Sequence, residues 1–372
     1  MKVSIERGTL LKAVGNAQSV VERRANTQIL GNVLIVAESD TVSFRATNLD
    51  VDLVDRVAAK VEQPGSTTVR AQTLNEIVRK LPDGALVRLT DDEVNSRIAI
   101  EAGRSQFHLM TLPTEDFPIM ASSDFTANFA IPAKELRRLF GKTRTAVSTE
   151  ETRYYLNGVY MHVAEVDGAK VLRCVATDGH RLARIDADLP EGAEEMPGII
   201  VPRKAIAELG KLLEGDSDDI AVSVSETKIR FATPEVTLTS KVIDGTFPDY
   251  VRVIPIGNER RMEVDAVELT KAVDRVATVT REISRAVKMT IDTDNLVLSV
   301  NDPEIGTAQE ELAVAYGDDS LEIGFNARYL LEIASQVERE NAVFHFNTSS
   351  DPAIICESDD PSALYVVMPM RA

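Results

Sequence analysis

A chain of 372 residues with 41 lysines and arginines against 59 aspartates and glutamates has a formal net charge of −18. Spread evenly, that charge would repel phosphate, which argues against nucleic acid as a partner. With 44% hydrophobic and 27% charged residues the composition is that of a folded globular protein, so wholesale disorder is excluded.

Length and cysteine use narrow the class further. Since single cores rarely grow beyond about 250–300 residues, the length predicts two or three domains. Cys174 and Cys356 form no CxxC pair and lie in apolar, strand-like runs, which predicts reduced, buried thiols and excludes a disulfide framework. The N-terminus lacks a signal-peptide pattern, and charges interrupt every apolar run well short of the roughly 18 residues of a membrane span. We expect a cytoplasmic protein with no membrane partner.

The first predicted elements form a strand-to-helix pattern that recurs three times along the chain. Residues 3–10, 129–136 and 262–269 each alternate apolar and polar residues into a short strand and then open an amphipathic helix. Their final leucines are 126 and 133 residues apart, close to one third of the chain. Such self-similarity predicts repeated structural units.

A second triplet, at 69–74, 201–206 and 325–330, places another strand end and helix start inside each third. Between the helices, period-two alternation predicts half-buried strands, as at 236–239 and 295–300. The expected class is therefore α+β, with three similar domains that each pack two helices on antiparallel sheets. The predicted domain boundaries are 1–122, 128–255 and 260–372.

Apolar spacing and capping residues locate the helices. Apolar residues at i, i+3, i+4 and i+7 follow from Leu74 and again from Leu330, so each set shares one helix face. A capping-box-like pair at Asp265 predicts a helix start, and Pro132 and Pro202 suit a first turn. Helices are expected within 6–24, 73–81, 133–146, 203–213, 266–281 and 326–339.

Charge is divided between the two classes of element. In the third predicted helix an apolar stripe runs through Leu136, while Lys134, Arg138 and Lys142 lie roughly opposite it at 100° per residue. The six helical segments together carry a net +10, which leaves −28 for the rest of the chain. This division suggests a curved molecule with a basic helical lining and an acidic exterior. The alternative is that amphipathic helices simply carry solvated charges.

The run Ala176–Leu182 is the sharpest local candidate for chemistry. Asp178 and His180 could form an acid/base pair or half of a metal site. The remaining histidines are isolated: His108, His162 and His345. No HExxH, nucleophile elbow, Walker loop or GxGxxG motif supports catalysis. A strand-ending turn that binds a partner is the favoured interpretation.

Two further runs suggest a binding surface. Lys241–Val253 contains a Phe-Pro corner and recurs in weaker form at Leu112–Pro118. The C-terminal run Tyr365–Ala372 is unusually apolar for a chain end. Its Met-Pro-Met sequence offers a soft surface suited to varied side chains, and core packing is the competing interpretation.

Five runs together carry a family resemblance. They are Gln28–Asn32, Tyr154–Gly158, 176–183, 243–253 and 365–371. In this order, over the whole chain, they resemble the bacterial DNA polymerase III β subunit, the sliding-clamp family, which shares the threefold repeat. Where the best-known pattern ends in Met-Arg-Leu, this chain ends in Met-Arg-Ala372, which removes apolar volume beside the family's partner groove.

The resemblance implies a DNA clamp fold and a head-to-tail homodimeric ring of six similar domains, with twelve helices around double-stranded DNA. Such a ring is non-catalytic and uses no cofactor or metal. It tethers the replicative polymerase for processive synthesis and docks the clamp loader, repair polymerases and other proteins through short peptide motifs. A non-ring acidic scaffold, or a hydrolase using Asp178 and His180, remains the alternative.

The resemblance also assigns residues to three surfaces. Near DNA it places Arg24, which matches a basic position in the family's first domain, and the basic helices add Arg137, Arg138, Lys142, Arg203 and Lys204 as DNA-facing candidates. At the dimer interface it places Phe107, Leu109, Val279 and Ile283. In the partner-peptide groove it places Leu156, Thr177, Gly179, His180, Arg181, Leu182, Pro248, Arg252, Val253, Val366, Met368, Pro369, Met370 and Arg371.

Overall fold

Strands and helices alternate along the chain in the order that the repeat predicts. The computed structural model describes residues 1–22, 27–121, 124–213, 218–281, 286–338, 340–358 and 360–371. The α-helices in these ranges are α1 (Arg7–Val20), α2 (Ala71–Lys80), α3 (Ala133–Thr143), α4 (Arg203–Leu212), α5 (Ala266–Ala277) and α6 (Ala327–Ala334). Each helix begins at the residue that follows a strand, which confirms all six predicted strand-to-helix junctions.

The described ranges also form 25 strands. They are β1 (Lys2–Glu6), β2 (Asn32–Glu38), β3 (Thr41–Thr47), β4 (Val51–Ala58), β5 (Lys60–Gln63), β6 (Gly65–Arg70), β7 (Leu86–Asp92), β8 (Arg97–Ala102), β9 (Ser105–Leu112), β10 (Ala127–Pro132), β11 (Gly158–Val166), β12 (Ala169–Thr177), β13 (Arg181–Asp188), β14 (Ile199–Pro202), β15 (Asp219–Val224), β16 (Lys228–Ala232), β17 (Val236–Lys241), β18 (Arg260–Asp265), β19 (Ala286–Asp292), β20 (Asn295–Asp302), β21 (Gly306–Ala313), β22 (Leu321–Asn326), β23 (Asn341–Phe346), β24 (Ala353–Glu357) and β25 (Asp360–Val367).

Helix starts follow the predicted capping chemistry more closely than helix ends do. The Asp265 side chain accepts a hydrogen bond from the backbone N–H of Glu268 at 2.7 Å, which confirms the predicted start of α5. Pro132 and Pro202 occupy the last residue of β10 and β14, one position before the predicted first turn. Both strands lie at sheet edges, where a missing N–H costs no ladder bond.

All six helices end earlier than predicted, and three of them end at least four residues earlier. The structure ends α1 at Val20, α5 at Ala277 and α6 at Ala334, whereas the sequence predicted 24, 281 and 339. After α6 the backbone N–H of Gln336 donates to the carbonyl of Ile333 at 2.8 Å, three residues back. Such i to i+3 bonds tighten the chain and stop the α-helix. Apolar spacing alone cannot see this, because the next apolar residue still falls on the predicted face.

The chain divides into two compact units. The first comprises Met1–Lys134, Pro190–Pro197 and Lys204–Val242, and the second Glu135–Leu189, Gly198–Arg203 and Ile243–Ala372. This division cuts through the middle third of the chain, because its strands join the sheets of both neighbouring thirds. The domain boundaries 1–122, 128–255 and 260–372 therefore stay a prediction.

The first unit is built on one long antiparallel sheet. Its strand order is β10-β15-β16-β17-β4-β3-β2-β6-β9-β8-β7-β1-β5. The join between thirds is the pairing of β17 with β4, in which Leu238 stands opposite Leu53 and both are buried. Helix α1 packs on α2 and on β3 and β4 through Leu10, Val14 and Ala17. Burial of apolar side chains on one helix stripe and one sheet face supplies the core.

The second unit contains two antiparallel sheets. The larger has the order β14-β11-β12-β13-β25-β24-β23-β18, and the smaller β21-β20-β19-β22. Strand β25 joins the middle and last thirds, because it pairs with β13 on one side and β24 on the other. Helix α5 packs on α6 and on β20 and β21. Tyr365 of β25 is 1% exposed, so the strand itself belongs to the core.

Charge segregation survives the corrected helix ends. The six helices as observed carry a net +8, which leaves −26 elsewhere in the chain.

Both cysteines are free thiols, with Cys174 buried and Cys356 half-buried. Within the described ranges no helix is long and apolar enough to cross a membrane.

Candidate functional site

The turn between β12 and β13 holds its own polar groups. The Thr177 hydroxyl donates to the carbonyl of Arg181 at 2.7 Å and accepts from the N–H of Gly179 at 3.1 Å. One Asp178 oxygen accepts from the N–H groups of His180 and Arg181 at 2.9 and 3.0 Å. Gly179 has φ +89°, where a side chain would be strained. These bonds make Asp178 a turn-forming residue.

The same turn recurs in the other thirds of the chain. Between β3 and β4, the Thr47 hydroxyl donates to the carbonyl of Val51 at 2.9 Å, and Asn48 accepts from two backbone N–H groups. After β20, Asp302 likewise accepts from the N–H groups of Glu304 and Ile305. A hydrogen-bond pattern shared by three thirds, two of them without a histidine, belongs to the fold. The pairing of Asp178 with His180 therefore needs no catalytic explanation.

Arg181 ties this turn to helix α6. Its guanidinium donates to Glu332 and to the carbonyl of Thr145, and lies 4.3 Å from the ring centroid of Tyr329. A fourth contact, an ion pair of 3.2 Å, joins it to Asp178. The residue is 7% exposed. A buried guanidinium with these partners positions the turn, whereas the sequence assigned Arg181 a direct contact with a peptide.

Glu332 supplies the negative charge that pairs with Arg181 and so links the turn to helix α6. Burial alone would raise the pKa of Glu332, but hydrogen bonds from Arg328 and Arg181 outweigh burial and lower that pKa. The carboxylate is therefore charged at neutral pH and pairs with both guanidinium groups. Tyr329 and Glu332 are neighbours of the turn that the sequence analysis missed, since 151 residues separate Arg181 from Glu332.

The Phe-Pro corner packs beside the turn. Phe247 and Tyr250 are 8% and 7% exposed and belong to one apolar cluster with Leu156, Val175, Leu182, Ile200 and Val366. The following residues form a short 3-10 turn over Tyr250–Val253. Val253 is 51% exposed, and Pro248 and Arg252 are also exposed. The corner therefore buries two aromatic rings and presents the rest of the run to solvent.

The C-terminal run follows the same division between core and surface. Strand β25 ends at Val367, and the backbone N–H of Met368 then donates to the carbonyl of His180 at 2.9 Å. Two residues later the N–H of Met370 donates to the carbonyl of Gly324 at 2.9 Å. Met368 is 46% exposed, whereas Val366 is 3% exposed. Core packing explains the strand, and the residues after it form surface beside the turn.

Three runs that the sequence singled out thus meet in the second unit. We call their exposed part the motif surface, which comprises Gly179, His180, Pro248, Arg252, Val253, Met368 and Arg371. Beneath it lie buried residues predicted for the same groove: Leu156, Thr177, Arg181, Leu182 and Val366. Pro369 and Met370 are half-buried between them. Tyr154 and Val251, 54% and 61% exposed, border this surface in sequence but were not predicted, although both lie within the quoted motif runs.

The predicted DNA-facing residues differ in exposure. Arg203 is exposed, and Lys204 is half-buried and donates to the carbonyl of Val20 at 3.1 Å. Arg137 is half-buried, and Arg138 donates to the carbonyl of Asp186 and to Ser362. Arg24 lies outside the described residues. Exposure thus favours the start of α4 over the later turns of α3.

Lys142 corrects the prediction made for α3. It was placed opposite the apolar stripe, but the structure buries it at 4% exposure with its ammonium group bonded to Glu357. The reason is that a second face of α3 is also covered, because it packs against Glu357 at the end of β24 in the last third of the chain. Helical periodicity detects one buried face and cannot detect a buried ion pair on another.

Two of the predicted dimer residues, Phe107 and Leu109, lie on a strand with a largely open edge. Strand β9 pairs with β8 along residues 105–110, but with β6 only at Thr111 and Leu112. Phe107 is 36% exposed and Leu109 half-buried on this strand. In the smaller sheet β21 pairs with β20 alone among the described strands. Val279 is half-buried in the turn after α5, and Ile283 lies outside the described residues.

Comparison with known proteins assigns this arrangement to a family. Three family models match in order: the N-terminal domain of the DNA polymerase III beta subunit at 1–121, its central domain at 130–249 and its C-terminal domain at 251–371. The Caulobacter vibrioides and Pseudomonas aeruginosa beta sliding clamps are 49% and 39% identical to the chain, with all of both proteins covered. The Escherichia coli beta sliding clamp is 36% identical over full length.

Solved structures agree with the sequence comparison. A Bartonella birtlesii sliding clamp bound to griselimycin has a TM-score of 0.97 at 46% identity, with complete coverage of both chains. A Caulobacter crescentus clamp has a TM-score of 0.96 at 49% identity, covering 100% of this chain and 99% of that one. The fold and the motif surface thus define a three-domain α+β DNA clamp.

The chain belongs to the DNA polymerase III β subunit family, the sliding clamps. Membership assigns it the function of a sliding clamp, which is a non-catalytic processivity subunit. The resemblance stated from five short runs is confirmed over the whole chain.

Proposed function

We propose that two copies of the chain close head to tail into a ring around double-stranded DNA in the cytoplasm. The ring tethers the replicative polymerase, and other replication and repair proteins dock on the motif surface. The observation that carries the proposal is the convergence of three separate motif runs on one exposed surface. Processivity is then topological, because an enclosing protein cannot leave DNA sideways.

The open strand edges support the proposed ring closure. Strand β9 and strand β21 each have eight residues and one edge that is largely unpaired among the described strands. Unpaired N–H and C=O groups on an edge are a template for pairing with another chain. A contact between two different surfaces of identical subunits closes when the rotation between copies suits a ring. Phe107 and Leu109 of one copy would pack near Val279 and Ile283 of the other.

The basic helices support weak contact with DNA phosphates. Helices with a net +8 and a remainder with −26 would draw duplex DNA to the helical side and repel it elsewhere. Phosphate contacts position DNA without reading sequence, which suits a protein that slides. Arg203 and Lys204 are our main candidates, with Arg24, Arg137 and Arg138 as further ones. Lys142 leaves this set, because it is buried against Glu357.

The motif surface has the composition of a peptide-docking site. Exposed valine, proline and methionine side chains stand next to polar groups of His180 and Arg252 that can fix the orientation of a ligand. The Bartonella birtlesii and Pseudomonas aeruginosa clamps, 46% and 38% identical to the chain, have been solved bound to griselimycin. We propose that griselimycin and peptide motifs of the polymerase, clamp loader and repair polymerases share this surface. Ala372 would change its apolar volume.

Loading on DNA tests the ring directly. Protein loaded by a clamp loader onto a nicked circular plasmid should stay bound through gel filtration and should be released when the plasmid is cut once. A Phe107→Asp variant should fail to stay on the circle, because a charge at the proposed interface opens the ring. Sedimentation should show this variant as a monomer and the parent as a dimer. Equal retention on circular and linear plasmid would contradict the topological proposal.

A further inference from the structure

A row of polar side chains lies on the sheet face under the Phe-Pro corner. His162 of β11 stands opposite Arg173 of β12, and Arg173 stands opposite Asp186 of β13. Side chains paired across antiparallel strands share one face, so the three residues form a line across the sheet. The same face carries Val175 and Leu182, which belong to the apolar cluster that receives Phe247 and Tyr250. The three polar residues therefore lie beside the apolar cluster on which the Phe-Pro corner packs.

Hydrogen bonds join this row to the Tyr250 hydroxyl, and the tautomer of His162 fixes which group donates. His162 Nδ1 is 2.9 Å from the carbonyl oxygen of Val163, and His162 Nε2 is 3.1 Å from the Tyr250 hydroxyl. Because a carbonyl oxygen only accepts, Nδ1 carries the ring proton and Nε2 accepts from the hydroxyl. Arg173 Nη1 donates to the Tyr250 oxygen at 3.3 Å and holds Asp186 through two bonds of 2.6 and 2.7 Å.

Ring stacking joins His162 to Phe247, the other buried residue of the Phe-Pro corner. The His162 ring lies 4.5 Å from the Tyr160 ring with an angle of 22° between their planes. Tyr160 in turn stacks on Phe247 at 5.0 Å and 10°. His162 thus contacts Tyr250 directly and reaches Phe247 through one ring. These two are the buried residues of the corner, while Val251 to Val253 are exposed.

We propose that His162, Arg173 and Asp186 are positioning residues for partner binding, because they fix Tyr250 and thereby the placement of Arg252 and Val253. The inference rests on the proposed docking function of the motif surface. A turn of four residues whose last three are exposed has Tyr250 as its main side-chain anchor. Loss of the Tyr250 bonds would let the turn move, and a partner would then have to order it at a cost in affinity.

The hydrogen bond from the Tyr250 hydroxyl to His162 Nε2 requires a neutral His162. Burial lowers the pKa of His162 below its ordinary value of 6.5, and the nearby Arg173 lowers that pKa further, against the raising effects of the hydrogen bond to the Val163 carbonyl and of Asp186. The titratable or charged groups around it are Tyr160, Arg173, Arg184, Asp186 and Tyr250. Protonation would put a hydrogen on Nε2, so the Tyr250 hydroxyl would lose its acceptor and its oxygen would face two cationic donors, His162 and Arg173. Partner affinity should therefore fall only when the pH drops below the lowered pKa of His162, that is, at a pH below the ordinary 6.5.

Four variants of the whole chain, with griselimycin as the probe in calorimetry, test this positioning role. Tyr250→Phe removes the bonds to both His162 and Arg173 and should raise Kd about five- to tenfold at pH 7.5. His162→Phe should raise Kd somewhat less, and the double variant no more than Tyr250→Phe, because the bond lost with His162 is already lost with the hydroxyl. His162→Gln keeps an acceptor but cannot titrate. It should bind within about threefold of the parent at pH 7.5 and should lack the fall in affinity that the parent shows as the pH is lowered through the pKa of His162.

Tyr365→Phe is the matched control. Its hydroxyl is buried with no hydrogen-bond partner among the described residues, and it sits on the opposite face of β25 from Val366. It should bind griselimycin as the parent does. His180 is present in all of these proteins, so any difference in their pH profiles comes from residue 162. Unchanged Kd values and pH profiles in the position-162 and position-250 variants would overturn the positioning role alone. Failure of the parent to bind would overturn the docking function and the positioning role together.

Discussion

Lys142→Met should lower the free energy of unfolding by about 3–5 kcal/mol. The Lys142 and Glu357 side chains are 5% and 2% exposed and bond directly to each other. Glu357 also accepts from the backbone N–H of Glu338 at 3.2 Å. Removing the lysine leaves a buried carboxylate without its cation, which costs far more than the net value of the pair. The urea midpoint should shift accordingly.

Two companion variants give this result its meaning. Lys142→Met combined with Glu357→Gln should recover most of the loss, because the amide is uncharged and still accepts from Glu338. Lys288→Met is the matched control, since Lys288 pairs with Glu322 at 2.8 Å but their side chains are 37% and 61% exposed. It should cost less than about 1 kcal/mol. Equal costs for the two lysine variants would refute the buried-pair argument.

Lys142 also shows where sequence-based prediction of the site stops. The helix over 133–143 was predictable, because its apolar spacing is a local property of the chain. Its partner Glu357 lies 215 residues away, and nothing in the sequence of the helix reports that contact. A lysine placed on the polar side by periodicity was therefore read as DNA-facing. Arg203 was predicted as DNA-facing because it belongs to a basic helix, and the structure leaves it exposed.

The fold divides between predictable and unpredictable features in the same way. Each strand-to-helix junction follows from a change of hydrophobic period within about ten residues, so all six were found. The pairings of β17 with β4 and of β13 with β25 join distant parts of the chain. Alternating residues at 236–239 fix which face is buried but not which strand becomes the neighbour. The two compact units therefore could not be predicted.

The motif surface was predicted as a set of runs, and the structure separates their roles. Leu182 and Val366 were named as groove residues but lie buried at 2% and 3% exposure, while Tyr154 and Val251 are exposed and were not named. Alternation identifies a strand such as β13 but cannot say whether its apolar face is covered by another segment. Here the corner containing Phe247 covers it. A partner would thus meet the exposed rim more readily than the buried floor.

Deletion of Met368–Ala372 should raise the Kd for griselimycin at least roughly 100-fold while leaving the fold intact. The deletion spares β25, which ends at Val367 and keeps its pairing with β13 and β24. Two backbone bonds are lost, from Met368 to His180 and from Met370 to Gly324, so the melting temperature should fall only about 2–4 °C. Calorimetry and thermal unfolding measure the two effects separately.

A shorter deletion separates the contribution of residues 368–370 from that of the last two residues. Removing only Arg371 and Ala372 keeps both backbone bonds and the exposed Met368, so its loss of affinity should be clearly smaller than that of the full deletion. Since Met368 bonds to His180, the longer deletion also frees the turn at the centre of the motif surface, which adds to the loss. If the longer deletion unfolded the protein, the tail would be core. If it bound griselimycin as the parent does, the proposed docking surface would be wrong.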